Sequence, residues 1–199
     1  MTIANHRIGL IGTGYWGKNL LRNFDALNSL AGFFDVSAES RAQHASHYSG
    51  ARVFDSVDAL LGDGAVTAVA IATPAATHGE FVERALNAGK HVFVEKPLCL
   101  DVTEAKSLKN MADGKGLVLM VGHLLHYHPA FRALHSTAKN GELGALRYIY
   151  SNRLSLGKIR REENALWSFA PHDISMILQL AGELPQRVIA SGAHFLTDG

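Results

Sequence analysis

The sequence has a single cysteine, Cys99, in 199 residues. A lone thiol excludes an internal disulfide and fits a reducing compartment. Neither sign of charge is in excess: Lys and Arg number 19, Asp and Glu 18, and the net charge is +1. No basic field marks a nucleic-acid surface. No segment approaches the ~20 apolar residues needed to cross a bilayer. The opening MTIANHRIGLIG carries no long apolar run followed by a small-residue cleavage site. A cytoplasmic protein with no nucleic-acid or membrane partner is therefore expected. Internal repeats and low-complexity segments are also absent. What remains is ordinary globular composition, 47% hydrophobic and 19% charged. That suits one or two domains of the common ~100–150-residue size.

Within residues 1–122 strand and helix patterns alternate. Strands are expected at Arg7–Ile11, Leu30–Phe34, Ala51–Phe54, Val66–Ala72, His91–Val94 and Leu117–Val121. Helices are expected near Tyr15–Ala26, Ala38–Ser46 and Ala76–Ala88, and again after Asp101, which can cap with Glu104 three residues on. This alternation predicts an α/β fold, a doubly wound parallel sheet with helices on both faces. The pattern changes in residues 123–199. A helix is expected at Pro129–Lys139, a long strand at Ala145–Leu156, a helix at His172–Leu180 and a strand over Arg187–Ala193. These read as a partial second domain of α+β type.

The strongest local signal is GTGYWG, a G-x-G-x-x-G at Gly12, Gly14 and Gly17 between a predicted strand and a predicted helix. In that context the first glycine permits the tight turn, the second lets backbone approach a pyrophosphate, and the third lets helix pack on strand. Tyr15 and Trp16 belong to the same cofactor-binding loop. Asp35 ends the second strand, eighteen residues beyond Gly17. An acid there accepts from ribose hydroxyls and repels a 2′-phosphate. The following VSAES supplies no adjacent arginine, and Arg41 lies too far along to settle the matter. NAD is favoured over NADP.

Loops after the remaining strands would line the same crevice. Thr73 and Pro74 follow the fourth strand, with His78 one turn into the next helix; Glu95 and Lys96 follow the fifth; His123 follows the sixth. His123, His126 and His128 have a metal-like spacing, but no carboxylate or thiol completes the set, so no metal is expected. Lys96 would lie near the redox carbon and could hydrogen-bond a substrate hydroxyl. Pro97 limits the turn's freedom, and an X-Pro bond is a place where a cis peptide is accessible. His172, in LWSFAPHDIS, could take the hydroxyl proton, with Pro171 compatible with the first turn of its helix.

Taken together, GTGYWG, ATPAATH, EKPL, the Gly-His after the sixth strand and APHD resemble the Gfo/Idh/MocA oxidoreductases in order and spacing. The resemblance covers essentially the whole chain. It implies an N-terminal Rossmann domain and a C-terminal domain on an open, mostly antiparallel sheet. It places the catalytic lysine on Lys96 and the catalytic histidine on His172. The family's aspartate four residues before that histidine falls on Ser168, a departure that shifts acid–base work onto His172. NRLSLGKIRREENALWSFAPHD is similar to a subgroup acting at C3 of UDP-N-acetylglucosamine or its uronic acid. Arg153, Lys158, Arg160 and Arg161 would suit a diphosphate or carboxylate. The resemblance further implies a truncated C-terminus and, for full-length proteins, a homo-oligomer. The competing expectation is a non-catalytic dinucleotide- or sugar-binding protein, or an inactive fragment.

Overall fold

The structure, a computed structural model, describes residues 6–154 and 164–193. Six strands form one sheet in the order β3-β2-β1-β4-β5-β6. They are β1 Ile8–Ile11, β2 Leu30–Phe34, β3 Arg52–Val53, β4 Ala68–Ile71, β5 His91–Val94 and β6 Leu119–Val121. Every pairing is parallel. Parallel strands are covered on both faces, which is why they read as near-continuous apolar runs. On one face Leu10, Phe33 and Ala70 pack with Leu21. On the other, Ile11, Val69, Ile71 and Val94 pack with Leu60, Val82, Leu86 and Leu108.

The covering helices are α1 Gly17–Ala26, α2 Ala38–His47, α3 Val57–Gly62, α4 His78–Asn87 and α5 Val102–Gly114. Asp101 caps α5 as expected, its side chain accepting from the Glu104 N–H. Helix α3 was not expected. Its six residues are too few to show a helical period, yet Ser56 caps it and Val57, Leu60 and Leu61 are buried. Strand order reverses between β1 and β4. That switch point opens a crevice beyond the carboxyl ends of the strands.

The described residues from Leu124 onward, apart from 164–167, form a second unit. It contains α6 Pro129–Lys139 and most of α7 Ala165–Ala181. Helix α7 begins seven residues before the expected His172. Asn164 holds its first turn by accepting from the Trp167 N–H at 3.0 Å. Pro171 therefore lies inside the helix rather than in its first turn, where it withholds one N–H from the ladder. The strands expected at 145–156 and 187–193 are not seen among the described residues. A strand exists only as part of a ladder, and neither segment is paired there. Tyr148, Leu154 and Ile189 are instead 83%, 86% and 80% exposed. The open antiparallel sheet implied by the resemblance is thus not present in this unit as described. Among the described residues no helix is long and apolar enough to cross a membrane.

Candidate cofactor and active site

Strand β1 ends at Ile11 and the chain turns at Gly12, whose φ of +90° favours glycine. A Cβ on Gly17 would fall 2.0 Å from the Gly12 carbonyl oxygen, so helix and turn meet backbone to backbone. A Cβ on Gly14 would meet nothing within 4 Å. At Gly14 the backbone faces open space. The start of α1 differs from that of α2, α3, α5 and α6, which Ser37, Ser56, Asp101 and His128 cap with side chains. Trp16, at the N-cap of α1, supplies no side-chain acceptor. The first-turn N–H groups and the helix dipole there suit an anion. Trp16 and Tyr15 are exposed at this turn, with the Lys18 ammonium 5.3 Å from the Tyr15 ring centre.

Asp35 ends β2 with both carboxylate oxygens engaged. The Thr13 N–H and hydroxyl donate to Oδ2 at 2.7 and 2.9 Å, and the Ser37 N–H donates to Oδ1 at 2.9 Å. Burial alone would raise this carboxyl's pKa. The bonds from Thr13 and Ser37, with the charge of His44, outweigh burial and hold it below the usual value. Asp35 is therefore a charged acceptor tied to the glycine turn. It retains lone pairs for ribose hydroxyls and a charge that opposes a phosphate. An open Gly14, an uncapped α1 and a charged Asp35 fit a dinucleotide.

Thr13 and Ser40 were not expected here, and Arg41, read as lying too far along to settle the cofactor, reaches this turn as well. Thr13 is 3% exposed, and its hydroxyl also meets Ser40 Oγ at 2.7 Å. Arg41 reaches back from α2 to donate to the Asp35 carbonyl at 2.5 Å, its guanidinium 5.7 Å from the Phe34 ring centre. The signal was Ser37: a cap there places Arg41 one turn into α2, and helical side chains lean toward the N-terminus.

The next loops continue along the same edge. Thr73 follows β4, and the Thr77 hydroxyl donates to its Oγ1 at 2.8 Å. His78 was expected to touch the cofactor. It is instead 1% exposed, with Nδ1 2.6 Å from the Pro97 carbonyl oxygen and Nε2 2.8 Å from that of Thr73. Both nitrogens are committed to backbone, so His78 joins loops rather than presenting a nitrogen to a ligand. Lys96-Pro97 is cis. Glu95 is 9% exposed, and its N–H donates to the Ile71 carbonyl. Burial pushes its carboxyl pKa up, and the Lys96 N–H and charge offset this in part. Gly122 packs so near that a Cβ would lie 3.3 Å from Glu95 Oε2. His123 follows, at the end of β6. The sheet thus brings Gly12, Asp35, Thr73, Lys96 and His123 to the carboxyl ends of β1, β2, β4, β5 and β6.

In the second unit, Ser168 and His172 lie one turn apart on α7, both part-buried. Arg153, expected to meet substrate, pairs through Nε with Asp173 Oδ2 at 2.9 Å. Lys158, Arg160 and Arg161 lie outside the described residues. His128 Nδ1 accepts from the Ala130 N–H as the α6 cap, and His126 packs edge-on against Phe131. Among the described residues no three His, Cys, Asp or Glu side chains converge as a metal site.

A family model described as an oxidoreductase family with an NAD-binding Rossmann fold matches residues 6–123. The chain is 39% identical to UDP-N-acetylglucosamine 3-dehydrogenase of Acidithiobacillus ferrooxidans, over 96% of this chain and 59% of that protein. The solved structure of that enzyme superposes with a TM-score of 0.86, covering 96% of this chain and 61% of the other. Inositol 2-dehydrogenase of Rhizobium meliloti is 31% identical over 94% of this chain and 58% of its own. GenD2 from gentamicin A biosynthesis, solved in complex with NAD, is 28% identical with a TM-score of 0.80, covering 92% and 55%. The chain therefore spans less than two thirds of the length of these relatives.

Proposed function

Because the chain belongs to the Gfo/Idh/MocA oxidoreductase family and carries its NAD-binding domain, we propose that it is an NAD-dependent dehydrogenase acting on a sugar or nucleotide sugar. The favoured reacting group is a secondary hydroxyl at C3, as the name of the Acidithiobacillus relative suggests. NAD, when bound, accepts the hydride from that carbon.

The glycine turn at Gly12, Gly14 and Gly17 holds the pyrophosphate with the start of α1, beside Tyr15 and Trp16. Asp35 accepts from the adenosine ribose and selects NAD over NADP. Thr73 and Pro74 bound the crevice beside β4, and His123 bounds it beside β6. Lys96 donates to the substrate oxygen, orients it and favours the alkoxide as the hydroxyl proton departs. His172 takes that proton. Ser168 has no carboxylate to share the work, so His172 carries it alone. Arg153, Lys158 and Arg161 are proposed to meet a substrate diphosphate or carboxylate, Arg153 from its pairing with Asp173. The protein is proposed to work in the cytoplasm, and a homo-oligomer is proposed for a longer chain. The observation supporting this reading above others is Lys96 leaving β5 at the same sheet edge as the open Gly14 turn and the charged Asp35.

The test is NADH absorbance with the purified chain, NAD and a panel of UDP-N-acetylhexosamines, their uronic acids, inositol and glucose. NADH formed with one nucleotide sugar is the expected result. NAD binding with no turnover on any of them would favour a binding protein without chemistry, the reading that Ser168 supports.

A further inference from the structure

His78 opens α4, yet its ring points into the protein and lies between two loops of the crevice. Its Nδ1 is 2.6 Å from the Pro97 carbonyl oxygen and its Nε2 is 2.8 Å from the Thr73 carbonyl oxygen. A carbonyl oxygen can only accept. Both bonds exist together only when each ring nitrogen carries a proton. A ring with one proton would set a lone pair against one of these oxygens in a site that is 1% exposed.

We propose that His78 is a positioning residue for Lys96, a two-donor clamp tying the turn after β5 to the loop after β4. The proposal rests on the catalytic reading of Lys96 given above. Pro97 has no N–H, so its carbonyl is the backbone handle the clamp can grip, one residue from Lys96. The other end of the clamp is itself fixed. Thr73 is bonded through its hydroxyl to Thr77, and its methyl packs 3.0 Å from where a Gly12 Cβ would sit. Through Thr73 the clamp therefore refers Lys96 to the glycine turn that receives the dinucleotide. Two elements bring charged groups to this part of the fold. Helix α5 brings the Glu104 carboxylate against Gly79, where it would overlap an added Cβ. The end of β5 contributes Glu95 and Lys96.

The test begins with the chain labelled with ¹⁵N-histidine, the His78 signals assigned by their absence in His78→Gln. Both ring nitrogens should resonate as N–H groups. One unprotonated nitrogen overturns the clamp, whatever the enzyme does. The second arm is steady-state kinetics of His78→Gln, whose single amide nitrogen cannot span both carbonyls. Its kcat should fall on the order of 10²-fold, as expected for a displaced catalytic group, with KM for NAD nearly unchanged. Wild-type kcat in a folded variant overturns the proposal, as does a change confined to KM for NAD. If His78→Gln does not fold, the wild-type ring signals, assigned through bonds from the His78 backbone amide, decide. If the wild-type chain turns over no sugar, the dehydrogenase reading has failed. The clamp is then judged by ¹³C-dimethylated lysines: the Lys96 signal, assigned with Lys96→Arg, should shift in His78→Gln, and an unmoved signal sinks it.

Discussion

Lys96 leaves β5 next to a carboxyl that burial pushes above its ordinary range, and both residues invite single substitutions. Lys96→Ala should lower kcat by about 10²–10⁴-fold, the usual worth of a positioned proton-handling group. NAD affinity should hold, because the residues proposed to meet the pyrophosphate and ribose lie on other strands. Full turnover in Lys96→Ala, measured with NAD titrated in parallel, would remove lysine from the mechanism. Glu95 makes a prediction about pH. Its pKa in the fold lies above the unfolded value of about 4.5. Its contribution to stability is complete below that value and is lost as pH rises through the folded pKa. Glu95→Gln keeps an acceptor for the Lys96 N–H but cannot ionise. The variant should gain on the wild type as pH rises above the unfolded value, read in thermal melts, and a constant difference would contradict this. The position of Lys96 and Glu95 at the end of β5 was legible in sequence because EKP is contiguous and follows an apolar strand. The role of His78 was not, because its carbonyl partners lie 5 and 19 residues away on separate loops. Nothing local announces that a histidine at a helix start will turn inward.

At the scale of elements, the glycine turn separates cofactor binding from folding. Gly14→Ala adds a methyl where nothing lies within 4 Å. Stability should stay within about 0.5 kcal/mol of wild type, as for an uncrowded surface change. NAD affinity should drop, because the methyl would stand where the backbone is proposed to approach the pyrophosphate. Gly17→Ala puts its Cβ 2.0 Å from the Gly12 carbonyl and must push α1 away from the turn. It should lose both stability and NAD binding. Denaturant melts and NAD titrations on the two variants check this, and equal loss of stability in both would show that Gly14 is structural. The sheet itself was readable at this scale. β2, β5 and α6 run Leu30–Phe34, His91–Val94 and Pro129–Lys139, as their patterns indicate, because apolar strands and capped helices declare themselves locally. Helix α3 was too short to declare a period. The start of α7 was masked by Pro171, which suggests a first turn when Asn164 in fact caps the helix seven residues earlier. The strands expected at 145–156 and 187–193 have no pairing among the described residues, and 155–156 lie outside them. Their strand-like pattern reports side-chain preference, but a strand also requires a partner that the pattern cannot supply.

For the whole molecule, the two units differ in how much apolar surface they bury. The sheet unit encloses Leu10, Ile11, Phe33, Val69 and Ile71 at 1% exposure or less. In the second unit Tyr148, Tyr150, Leu154, Val188 and Ile189 are each at least 76% exposed. A cavity of about 670 Å³ there is lined by Leu134, Leu143, Leu146 and Leu180. Large apolar side chains exposed in this number favour association with other surfaces or with one another. The 199-residue chain should therefore bind a hydrophobic dye and self-associate at micromolar concentration in light scattering. Tyr148→Ser with Ile189→Ser should reduce both signals. The double variant should leave NAD affinity unchanged, since the residues proposed to bind the cofactor all belong to the sheet unit. A monodisperse monomer with no dye binding would show that these residues find cover in solution. A fall in NAD affinity in the double variant would show that the second unit supports the cofactor crevice.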